Sequence, residues 1–84
     1  MEKVTMRFPN AYAEEIMDRF GNTAEITLHG ETHFDICAEV FINPIFLGWC
    51  AGYGSVLEIV SPQSVKDELV KLMKDALSIY ETVQ

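Results

Sequence analysis

An α+β domain with the order β-α-β-β-α-β-α is predicted by three features of the 84-residue sequence. Apolar and polar residues alternate in short stretches, the period of a half-buried strand. Stretches of helical period stand between the first and second strands and between the third and fourth, and another follows the last strand. The second and third strands are separated by only a few residues, as an antiparallel hairpin requires.

In the first strand Val4, Met6 and Phe8 alternate with Thr5 and Arg7, and Pro9-Asn10 breaks it. Ala11 to Phe20 is predicted as a helix, with Ala13, Ile16, Met17 and Phe20 inward and Glu14, Glu15 and Asp18 outward. Gly21-Asn22 ends it. Ala24, Ile26 and Leu28 form a second alternating strand with Glu25 and Thr27 on its other face, and Gly30 to Thr32 supplies the turn. Phe34, Ile36, Ala38 and Val40 give the third strand the same alternation.

The segment from Asn43 to Pro62 organises the rest. Asn43 is a good N-cap, and Pro44 suits the first helical turn, where its missing N–H has no partner to lose. At about 100° per residue, Phe46, Trp49, Cys50 and Tyr53 share one face, which should pack on the sheet with Trp49 as its largest buried anchor. Gly52 and Gly54 bracket Tyr53 and are predicted to end the helix, because glycine accepts positive φ. Leu57 and Ile59 alternate with Glu58 in the fourth strand. Ser61-Pro62 then opens the last helix by the same cap-plus-proline logic, with Ser64 and Asp67 as an alternative cap. That helix carries Val65, Leu69, Leu72, Met73, Ala76 and Tyr80 as one stripe, with Lys71, Lys74, Asp75 and Glu81 facing out.

Two right-handed crossovers around a central hairpin give a four-stranded antiparallel sheet with both crossover helices on one face, the ferredoxin-like arrangement. The third helix is an addition that covers an edge of the sheet, part of its open face, or a partner.

A chain of 84 residues makes one domain, 1–84, that buries about 60–65% of its unfolded surface. The net charge of -7 argues against direct nucleic-acid binding, since a phosphate-tracking surface needs concentrated Lys and Arg. The six basic residues, Lys3, Arg7, Arg19, Lys66, Lys71 and Lys74, form no dense cluster in the sequence. No stretch has the length of a membrane span or the layout of a signal peptide, and the expectation is a cytoplasmic domain. Cys37 and Cys50 fit neither a disulfide framework nor a CxxC motif.

Candidate chemistry is sparse. His33, Asp35, Cys37 and Glu39 share the non-core face of the third strand, and His29 shares that of the second. Same-face positions along a strand lie about 6–7 Å apart, too far to converge on one ion unaided, so solvated hairpin residues are the preferred reading over a metal site. No nucleophile elbow, phosphate loop or zincin motif is present, and Cys37 with a nearby histidine lacks an orienting group, so no enzyme, catalytic residue, metal or cofactor is expected. Arg7 shares the open sheet face with Thr5, Asp35, Cys37 and Glu58. That group is either a cross-strand ion-pair network or a ligand or partner face, and the surrounding acidity favours the first.

The spaced positions Phe46, Trp49, Cys50, Gly52, Tyr53, Gly54, Leu57, Ile59 and Pro62 resemble the C-terminal extension (WCX) domain of WYL-domain transcriptional regulators. The likeness extends to the VTMRF strand with its following helix and to the last helix ending in Tyr80, and so covers nearly the whole chain. The resemblance implies a domain excised from a longer regulator with helix-turn-helix and WYL domains. It implies a module that dimerises the parent and relays effector sensing, with DNA bound elsewhere in the parent. A free-standing ferredoxin-like small-ligand sensor is the alternative. Ile45 and Gly48 stand where that family leads one to expect polar residues, which leaves the outer side of the central helix, Ile45, Leu47, Gly48 and Ala51, uncharged. That side is expected to meet a second copy or the WYL domain, unless the last helix folds back over it.

Overall fold

The computed structural model of the chain describes residues 1–81, the side chain of Asn22 excepted. Residues 82–84, included in the domain above, lie outside the described residues. The strands are β1 (Glu2–Pro9), β2 (Glu25–His29), β3 (His33–Val40) and β4 (Glu58–Ser61). The helices are α1 (Ala13–Phe20), α2 (Pro44–Gly52) and α3 (Gln63–Glu81). The sheet order is β2-β3-β1-β4 with every neighbouring pair antiparallel, which is the ferredoxin-like order.

Register explains the core. Val4 lies opposite Ala38, Met6 opposite Ile36 and Phe8 opposite Phe34, so the apolar rows of the two central strands coincide on one face. Ile16 of α1, Phe46, Leu47 and Cys50 of α2, and Val65 and Leu69 of α3 complete a single buried cluster with Leu57 and Ile59. Phe8 and Phe34, with centroids 5.8 Å apart, are the largest fully buried side chains.

The structure moves several boundaries. The helix expected from Ala11 begins as a 3-10 turn over Asn10–Tyr12, with α1 proper starting at Ala13. Asn10 is held across the sheet: its N–H donates to the Thr32 carbonyl at 2.9 Å and its side-chain amide to the Glu31 carbonyl at 3.0 Å. At the end of α2, Gly52 stays helical, and Gly54 alone takes positive φ, +59°. Its N–H donates to the Ala51 carbonyl at 2.9 Å, which closes the helix. Ser61 still pairs with Thr5 in the sheet, so α3 begins only at Gln63, and the Pro62 carbonyl accepts from the Val65 and Lys66 N–H groups.

The cover over the sheet is smaller than the periodicities predict. Ile26 and Leu28 lie on the core face opposite Ile36 and Phe34, yet they are 40% and 77% exposed. Met17 of α1 is exposed as well. In α3 only Val65 and Leu69 are buried and Leu72 half-buried, whereas Met73, Ala76 and Tyr80 face solvent. The second half of this helix extends past the surface on which its first half packs.

Candidate functional site

Two regions carry the residues singled out by sequence. The first is the open sheet face. Alternation along β1 and β3 puts Thr5 opposite Cys37 and Arg7 opposite Asp35, and β4 brings Glu58 opposite Arg7. The Arg7 Nε donates to Asp35 Oδ1 at 2.7 Å and Nη2 to Oδ2 at 3.0 Å, a two-pronged pair, with a Glu58 oxygen 3.9 Å from Nη1. The guanidinium fork is therefore already filled by a neighbouring strand.

The hydrogen bond from Arg7 holds the Asp35 carboxyl below its ordinary range, with attraction to Arg7 and the two histidines adding to it. A carboxylate whose pKa is lowered in the fold contributes stability above the unfolded value, near pH 4, and that contribution is lost as pH falls through the folded value. Urea melts between about pH 5 and pH 2 should show a fall in stability that is shallower in Asp35→Asn. Identical acid limbs in the two proteins would mean that the pair is not formed in solution.

Two shallow hollows open on this face. One, about 260 Å³, is lined by Arg7, His29, His33, Val56 and Glu58. The other, about 350 Å³, lies by Lys3, Glu25, Cys37 and Glu39. The sheet thus separates the polar candidates: Arg7, Asp35 and Glu58 meet, whereas Cys37 faces a different hollow. Among the described residues, no group of three His, Cys, Asp or Glu side chains converges as metal ligands would.

The second region is α2. Asn43 caps it, its side chain accepting from the Phe46 N–H at 2.9 Å. Phe46 and Cys50 are buried as their spacing requires, and burial pushes the Cys50 thiol up to about 11, which keeps it protonated and unreactive. Trp49 is only half-buried, a correction to its role as the largest buried anchor. It lies at the rim of the aromatic cluster, where its ring meets Phe20, Phe46 and Tyr53 and carries the Arg19 guanidinium 4.6 Å from its centroid. Such a cation–π contact lets the indole stay at the surface. Arg19 was not singled out by sequence, because the partner ring belongs to a distant helix. The Tyr53 hydroxyl donates to Glu15 of α1, which with partial burial pushes its pKa up to about 12 and ties the end of α2 to α1.

The outer side of α2 is also corrected. Leu47, placed outward by the helical wheel, is 7% exposed, because α3 lies across it and shares with it a groove lined by Glu68, Lys71, Leu72 and Asp75. Ala51 is half-buried against the core. Ile45 and Gly48 remain exposed. The last helix does fold back over α2, through its main stripe. Val70, Leu77 and Ile79, which lie off that stripe, stay exposed.

The chain matches the WCX domain family over residues 1–77 and belongs to that family. WCX domains are associated with WYL-domain regulators, which makes this a domain of regulatory type. No curated protein matches the chain in sequence.

Proposed function

We propose that this domain is the regulatory and assembly module of a WYL-type transcriptional regulator. In this reading it joins two copies of the parent, or docks on the parent's WYL domain, and relays effector binding to a helix-turn-helix domain elsewhere in the same polypeptide. It performs no catalytic step, holds no cofactor, and works in the cytoplasm. The observation that carries the reading is the family match across residues 1–77. Its surface chemistry supports the division of labour. Of the six basic residues, Arg7 and Lys71 are paired with carboxylates and Arg19 lies over Trp49. No helix among the described residues is long and apolar enough to cross a membrane.

The coding sequence upstream of Met1 tests this directly. A helix-turn-helix and a WYL segment in frame are expected. A native start at Met1 with neither segment would favour the free-standing small-ligand sensor. A second expectation concerns DNA: the 84-residue chain should give no gel shift with duplex DNA at micromolar concentration, even at low salt where electrostatic binding is strongest. A shift that weakens steeply as salt is raised would move DNA contact into this domain.

A further inference from the structure

The outer edge of β2 is open. β2 ends the sheet order, all five of its residues are exposed, and it runs beside β3 without a register shift. Every second residue of such a strand turns its N–H and C=O outward, where they can pair with another strand. Natural edges are commonly blunted by proline, lysine, a bulge or brevity. β4, at the opposite edge, has four residues, a register shift against β1, and Pro62 directly after it. β2, Glu25-Ile26-Thr27-Leu28-His29, contains no proline, no lysine and no bulge.

We propose that β2 is the docking edge for a second copy of this chain, added antiparallel about a twofold axis through Thr27, so that two sheets become one continuous sheet. This rests on the reading of the domain as an assembly module and names the surface that does the assembling. The order of residues in β2 carries the inference, because it is chemically self-complementary when reversed. Centring on Thr27 sets Glu25 opposite the second copy's His29, and His29 opposite its Glu25, on the open face. An imidazole N–H can donate to a carboxylate in either protonation state. On the helix side, Ile26 meets the second copy's Leu28 and Leu28 meets its Ile26, which covers two apolar side chains that the single copy leaves 40% and 77% exposed. Thr27 meets itself, a favourable cross-strand pair.

Other registers lack this match. A slip of one residue sets the apolar pair against the polar face. Moving the axis to Leu28 puts Glu25 opposite Glu31 of the second copy, a like-charge pair, and moving it to Ile26 loses both Glu–His pairs. The match also matters for a chain of net charge -7, whose copies repel over most of their surfaces. At β2 each carboxylate is met by a donor.

Sedimentation velocity over a concentration series tests the proposal with the 84-residue chain itself. A reversible dimer is expected. Leu28→Lys should leave the thermal melt unchanged at concentrations too low for the dimer, because the side chain is exposed in the single copy, and raise the dimer Kd about tenfold or more. Glu25→Lys and His29→Glu should each weaken the dimer severalfold, and the double variant, which restores opposite partners with their signs exchanged, should recover most of the affinity. A dimer unmoved by Leu28→Lys overturns the proposal and leaves assembly to another surface, such as the overhanging half of α3. A double variant no better than the single ones overturns the Thr27-centred register. A chain that stays monomeric at every concentration overturns the docking edge, while the regulatory reading is decided separately by the upstream coding sequence.

Discussion

Phe8→Ala is expected to remove about 3–5 kcal/mol from a domain whose size allows only about 4–13 kcal/mol in total. Phe8 is fully buried at the end of the central strand β1. It stacks on Phe34 and meets the edges of Trp49 and Tyr53, with centroids 5.5 to 6.5 Å away. One side chain therefore joins β1, β3 and α2, and Tyr12 reaches the same cluster through Tyr53 at 6.0 Å. Truncation leaves a cavity that the three surrounding rings, one on β3 and two at α2, cannot all close at once, so the cost includes lost contact as well as lost transfer energy. Denaturant melts should show the midpoint fall with an unchanged slope, since the surface exposed on unfolding hardly changes. A loss below about 1 kcal/mol would show that the aromatic cluster is not the centre of the fold.

The place of Phe8 was legible in part. Alternation fixed the inward face of β1 and β3, because both strands are central and their apolar rows lie opposite each other, Val4 to Ala38 and Phe8 to Phe34. The same alternation in β2 named the correct face and the wrong burial. Periodicity reports which way side chains point and carries no information on whether a helix lies over them. α1, at eight residues, is about 12 Å long, and its cover stops short of Ile26 and Leu28. The length of α3 misled in the same way: its stripe continues to Tyr80, but the surface beneath it ends near Leu72.

For the polar candidates, sequence placed Arg7, Asp35 and Glu58 on one face, but only the β1–β3 and β1–β4 registers show that they touch. Trp49 and Arg19 needed the tertiary approach of α1 to α2, which no local pattern encodes. The edge position of β2 follows from the ferredoxin-like order that the sequence predicts, but only the structure shows that all five of its residues are exposed and that it runs beside β3 without a bulge.

Leu47→Glu and Ile45→Glu, two positions apart on α2, should have opposite fates. Both introduce the same charge into the same short helix, so net charge changes alike. Leu47 is 7% exposed beneath α3, whereas Ile45 is 80% exposed. At Leu47 the variant loses a buried leucine, a matter of about 2–5 kcal/mol, and asks a carboxylate to leave water beside Glu68 and Asp75, which line the same groove. Lys71 lines that groove too, but it already donates to Asp75 at 2.7 Å. The expected loss is about 3–5 kcal/mol, enough to unfold the chain or to free α3 from α2. At Ile45 the expected change is within about 0.5 kcal/mol, as for other exposed sites away from special features. Circular dichroism melts distinguish total unfolding from release of α3, which would appear as partial loss of helix signal at low temperature. A stable, fully helical Leu47→Glu protein would mean that α3 does not pack on α2 in solution, and would return the outer face of α2 to the candidate interfaces.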